Sequence, residues 1–86
     1  MIPELRDKLR QLLAGRQQCY KQTFAGPVAE VVLRDLARFC RANVSTFHEN
    51  ERAHALAEGR REVWLRLQQH LRLSPEDLWR LTSGED

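Results

Sequence analysis

Cys40, His48, His54 and Glu58 are the side chains of this 86-residue chain whose types could do chemistry together. Thiolate and imidazole ligate zinc, and on a helix Glu58 would stand one turn beyond His54. Structural zinc sites, however, pair their ligands at short recurring spacings such as C-x2-C with H-x3-H, and no such pair is present. Neither a metal nor any other cofactor is expected. Nucleophilic catalysis lacks its setting as well, because no glycine-rich nucleophile turn or phosphate loop accompanies the thiols and hydroxyls. A single domain of this length has no room for a deep, water-excluding cleft, so the chain is expected not to be an enzyme.

Arginine carries the remaining chemical signal, with twelve arginines against two lysines. Its guanidinium makes planar, bidentate contacts to carboxylates and phosphates and stacks on aromatic faces. Arg34, Arg38 and Arg41 recur at spacings of three and four, which on a helix gives a basic edge suited to a negatively charged partner. Arg60 and Arg61 form a second basic site. The net charge of +2 is nevertheless small for a nucleic-acid binder, which concentrates a much stronger positive balance on one face. Charge is unevenly spread: residues 1–48 hold eight Lys/Arg against four Asp/Glu, and residues 49–86 hold six against eight. A basic front and a mildly acidic back suit head-to-tail contact between copies as well as contact with an acidic partner.

These residues must be positioned by helices. Ile2, Leu5, Leu9, Leu12 and Leu13 lie at helical spacing after a proline suited to a first turn, and basic residues surround the stripe. This amphipathic segment, residues 1–23, finds too few partners in so small a bundle, and self-association is expected. Gly26 and Pro27 then open a second helix with Val28, Val32, Leu36, Phe39 and Cys40 on its core face, widened by Val31 and Leu33. Residues 43–50 read as a loop. A third helix, the longest, runs from about Glu51 to Leu71 with Leu56, Gly59, Val63, Leu67 and His70 or Leu71 inward. Ser74, Pro75, Glu76 and Asp77 start a fourth helix, closed onto the bundle by Leu78 and Leu81. The fold class is all-α: one domain of about four helices, with residues 24–82 as core and 83–86 as a frayed tail.

Gly59 costs about 1 kcal/mol relative to alanine in a helix interior. Its place on the expected inward stripe makes it a packing notch for Phe47 or for the second helix, so a valine there is expected to overpack. Phe47 is expected to plug the gap between the helices it connects. Arg60 and Arg61 are expected to be dispensable for folding and available to a partner. The segment 63–84 mimics the opening of a helix-turn-helix reader, but the helix that would enter a groove does not follow, and sequence-specific DNA binding is not expected. Cys19 and Cys40 are expected to be reduced thiols of a cytosolic protein, since no secretory signal or cysteine-rich spacing is present. No apolar run approaches the length of a membrane span.

Taken together, Phe24, Gly26, Val32-Leu33, Asp35-Leu36, Phe39-Cys40, Thr46-Phe47-His48, Ala57-Glu58-Gly59-Arg60-Arg61 and Val63 make a specific pattern. It resembles a family of very short proteins of tailed bacteriophages and prophages, often encoded among virion and morphogenesis genes. The resemblance covers about residues 20–73; family members often carry aspartate-proline after the aromatic loop residue, where this chain has Glu49-Asn50-Glu51. It implies phage origin and a place in the host bacterial cytoplasm or the virion, and it supplies no catalytic or binding site. The expected function is non-enzymatic protein contact, in virion assembly or as a minor virion component, with Arg34, Arg38, Arg41, Arg60 and Arg61 as contact residues. The alternative is inhibition of a host enzyme or defence complex, and the third reading is non-specific nucleic-acid binding.

Overall fold

Three of the four helices start on a proline. In the computed structural model, which describes residues 2–83, the order is α1 (Pro3–Thr23), α2 (Pro27–Phe39), α3 (Glu51–Leu71) and α4 (Pro75–Thr82), with no strand among the described residues. Pro3, Pro27 and Pro75 occupy first-turn positions, where a missing N–H leaves no helical bond unmade. Gly26 precedes Pro27 at φ 92°, a left-handed conformation that glycine adopts without a Cβ clash. Asn50 caps α3 by accepting from the Ala53 N–H at 3.1 Å. At α4 the expected start is a full capping box: the Asp77 N–H donates to the Ser74 hydroxyl, and the Ser74 N–H donates to the Asp77 carboxylate. Those bonds, and Arg80 beside them, hold the Asp77 carboxyl below its ordinary range. α3 has the expected length, 21 residues, and α1 equals it because the helix continues through Gly15. The expected tail at 84–86 lies outside the described residues.

The chain leaves α2 and α3 in the same way, without glycine. Arg41 and Arg72 sit at φ 56° and 51°, and the following N–H groups of Ala42 and Leu73 return to Ala37 and Gln68. This satisfies end carbonyls that would otherwise be orphaned, although a side chain in the left-handed region costs about 1–2 kcal/mol.

The core is small and turns on one residue. Trp64 of α3 is 1% exposed and packs in a cluster with Leu33, Ala37 and Cys40 of the α2 region and Leu81 of α4. Phe24, Leu36, Leu67, Leu71, Leu73 and Leu78 close around it. Its indole N–H has no hydrogen-bond partner among the described residues, so apolar burial outweighs the cost of one unmade bond. α4 is also tied to α2 from outside, where Arg80 donates to Glu30 at 2.6 Å and to Asp77 at 3.1 Å.

This geometry rotates the core faces away from those expected. On α2 the buried positions are Ala29, Leu33 and Ala37, followed by Cys40; Leu36 packs at the margin, and Val28, Val31, Val32 and Phe39 are exposed. The physical reason is size: the indole needs small residues opposite it, and Ala37 lets α2 approach where a valine face would hold it off. On α3, Trp64, Leu67 and Leu71 face inward as a consequence, while Leu56 and Val63 are each 56% exposed.

The two packing residues inferred from sequence fail for the same reason. Gly59 stands on the outer surface of α3, and a Cβ built there meets nothing within 4 Å. Phe47 is 72% exposed and fills no gap; the loop residue that is buried is its neighbour Thr46. α1 contributes no buried residue; it packs on α3, where the Tyr20 and His70 rings stack with centroids 4.4 Å apart. The radius of gyration is 15.9 Å, against about 12 Å for a compact chain of this length.

Gly59→Ala should therefore stabilise the protein by about 0.5–1 kcal/mol through helix propensity alone, read as a raised urea midpoint with unchanged slope. Trp64→Ala should remove about 3–5 kcal/mol, a large part of what holds so small a domain together. A lowered midpoint for the alanine at 59 would restore the packing notch.

Candidate interaction surface

The arginines inferred from sequence separate into two groups. Arg34 lies on the α4 side, with its guanidinium 3.5 Å from the Ser83 carbonyl oxygen. Arg38 is exposed and has an intramolecular interaction of its own. Arg41, Arg60 and Arg61 meet at the C-terminal end of α2. Arg61 is half-buried and donates to the carbonyls of Arg41 at 3.3 Å and Val44 at 3.1 Å. The Arg60 guanidinium lies over the Phe39 ring, 4.4 Å from its centroid, an exposed cation–π contact. Cys40 is buried between these features; burial pushes its thiol up, against a weaker opposite pull from Arg60. Cys19 is exposed, and both thiols are free.

Glu58 completes this arrangement. Its carboxylate accepts the Thr46 hydroxyl, and the Thr46 carbonyl lies 3.1 Å from Nδ1 of His54. Because a carbonyl only accepts, that contact is a hydrogen bond when His54 carries a proton on Nδ1. One turn of α3 thus fastens the connection from α2 at three points, through Glu58, Arg60 and Arg61. The sequence pattern shared between "TFH" and "EGRR" is a lock between a loop and a helix. Sequence reasoning saw both halves but missed that they bond to each other, because nothing in linear spacing reports a contact across the loop. The expectation that both arginines are dispensable for folding is corrected accordingly: Arg61 supplies donors to two loop carbonyls.

The remaining histidines are occupied in similar local bonds. His48 Nδ1 accepts from the Asn50 N–H at 2.9 Å, and His70 Nδ1 is 2.9 Å from the Arg66 carbonyl. Among the described residues no group of three His, Cys, Asp or Glu could hold a metal ion, and no helix is long and apolar enough to cross a membrane. An open cleft of about 510 Å³ lies between the α1–α2 and α3–α4 turns, lined by Phe24, Leu33 and Leu71 and by the bonded groups of Glu30, Asp77 and Arg80.

The largest uncovered feature is apolar. Ile2, Leu5, Leu9, Leu12 and Leu13 are all about half exposed along α1, and Val28, Val31 and Val32 are exposed on α2. Sequence reasoning located the first stripe and assigned the second to the core.

Replacing Arg61 with glutamine should cost about 1–3 kcal/mol, since charge-assisted bonds to two carbonyls are lost. Arg60→Gln should cost about 0.5–1 kcal/mol, the value of an exposed cation–π contact. Urea denaturation of the two variants orders them, and equal midpoints would count against the lock.

No similar protein was found among the curated proteins or the solved structures. A family model described as "Bbp19-like phage protein" matches residues 20–83, which takes in the α2 to α3 lock and extends through α4. Since that match spans well over half of the sequence, the chain belongs to the Bbp19-like phage protein family.

Proposed function

We propose that this phage protein acts without catalysis, by binding other proteins, in virion assembly or as a minor component of the particle. The observation that carries the reading is α1: a helix of 21 residues with a leucine stripe that its own domain leaves about half exposed. Apolar surface of that extent, rimmed by Arg6, Lys8, Arg10 and Arg16, is the kind that protein or membrane contacts bury. Arg34 and Arg38 add an exposed basic edge on α2, whereas Arg60 lies over Phe39 of α2 and Arg61 acts mainly through the loop it holds. The protein would then be found in the infected host cell, in the virion, or in both.

Quantitative mass spectrometry of purified particles tests this. Recovery in fixed proportion to the structural proteins is expected. Absence from particles, with recovery on a host enzyme or defence complex, would replace this reading with inhibition of a host target. Binding to DNA or RNA that falls steeply with salt would favour the nucleic-acid reading instead.

A further inference from the structure

The charge asymmetry of the sequence acquires a direction in the fold. α1 leaves the body as a single unbroken helix, anchored at Tyr20 and with residues 2–16 exposed. Its stripe is flanked by Arg6, Lys8 and Arg10. Because the helix is continuous to its anchor, these turns keep the direction that the anchor sets and remain exposed. On α3, Glu51, Ala55, Glu58 and Glu62 follow one another at spacings of four, three and four, and so share one face. Ala55, Glu58, Gly59, Arg61, Glu62 and Leu65 line an open groove there, beside Thr46, with the Arg61 guanidinium turned to the loop carbonyls of Arg41 and Val44. The space above Gly59 is empty, so the groove floor admits a close helix.

We propose that the occupant of this groove is α1 of a second copy of the chain, docked head to tail. The inference deepens the contact-protein reading, and it rests on that reading only in taking the α1 stripe as a binding surface. Two arguments select this occupant. The flank of the arm is basic, and the groove sets Glu58 and Glu62, with Glu51 on the same face, against one arginine already bonded to the loop, whereas α1 against α1 would set Arg6, Lys8 and Arg10 against like charges. Length agrees as well: from Ile2 to Leu13 a helix rises about 17 Å, and from Ala55 to Leu65 about 15 Å. Leucines of the arm lie over Ala55 and Gly59, and its basic flank meets Glu51 and Glu62. Arm and groove are different surfaces, so the contact is heterologous: it closes as a reciprocal pair or a ring, or continues from copy to copy.

Two variants with opposite defects test the proposal in purified protein, independently of any particle. Leu9→Glu damages the arm, and Ala55→Lys with Glu62→Lys blocks the groove; all three positions are exposed, so circular dichroism should show the parent's helix content. Light scattering should give a multiple of 10.1 kDa for the parent and a monomer for each variant alone. Mixed together, the two variants should form a one-to-one pair and nothing larger, because one intact arm and one intact groove remain. A parent that stays monomeric across micromolar concentrations would overturn the proposal, as would a groove variant that still self-associates. Binding of a monomeric parent to anionic phosphatidylglycerol vesicles would assign the arm to a lipid surface instead.

Discussion

The fit of one indole against two small residues sets the rest of the structure. Trp64 is the largest buried side chain, and it can be buried only because α2 presents Ala37 and Cys40 to it rather than its valines. That choice fixes the rotation of α2 and, with it, the rotation of α3. Leu81 then has a place to close from α4, and Glu30 comes within reach of Arg80. An apolar core built on a single tryptophan is economical for a short chain, but it leaves much aliphatic surface outside.

The connection between α2 and α3 follows from the same geometry. Once Cys40 is against Trp64, the chain must turn away at once, and Arg41 does so in a left-handed conformation that its side chain makes costly. The carbonyls exposed by that turn are met by Arg61, and Thr46 is drawn under Glu58. Among the residues on which the family resemblance rests in the sequence, Thr46, Glu58 and Arg61 therefore serve to finish one difficult loop. Their chemistry is hydrogen bonding between elements, which explains why charged residues in the middle of a helix can be characteristic without belonging to a reactive site.

What the core does not use becomes the outer surface, and its distribution is not uniform. The valine side of α2, the leucines of α1 and the outer turns of α3 all lie outside the Trp64 cluster. Positive charge accompanies the arm, and glutamates accompany the outer groove of α3. In a small protein these uncovered faces are the surface left over, because the interior is already occupied by the packing that makes the fold.

Helix number, helix limits and the all-α class were legible in the sequence, since they depend on local signals. Proline at a first turn, Ser74 with Asp77 and the leucine periodicity of α1 act over a few residues and need no tertiary partner. Family membership was legible for the same reason, being carried by residue identities at fixed spacing. Leu67 and Leu71 of α3 and Leu78 and Leu81 of α4 were placed inward correctly, but which face of α2 became core was not legible. Val28, Val32 and Phe39 form as good an apolar stripe as Ala29, Leu33 and Ala37, and hydropathy favours the larger side chains; the decision belonged to Trp64, which needs small neighbours and lies on another helix. Gly59 and Phe47 were misplaced because their roles were inferred from that wrong face. The roles of Arg60, Arg61 and Glu58 were likewise decided only in three dimensions, where a carbonyl from residue 41 or a hydroxyl from residue 46 arrives at a helix that linear spacing places far away. Local preference chose the elements; steric fit between distant side chains chose how they face one another.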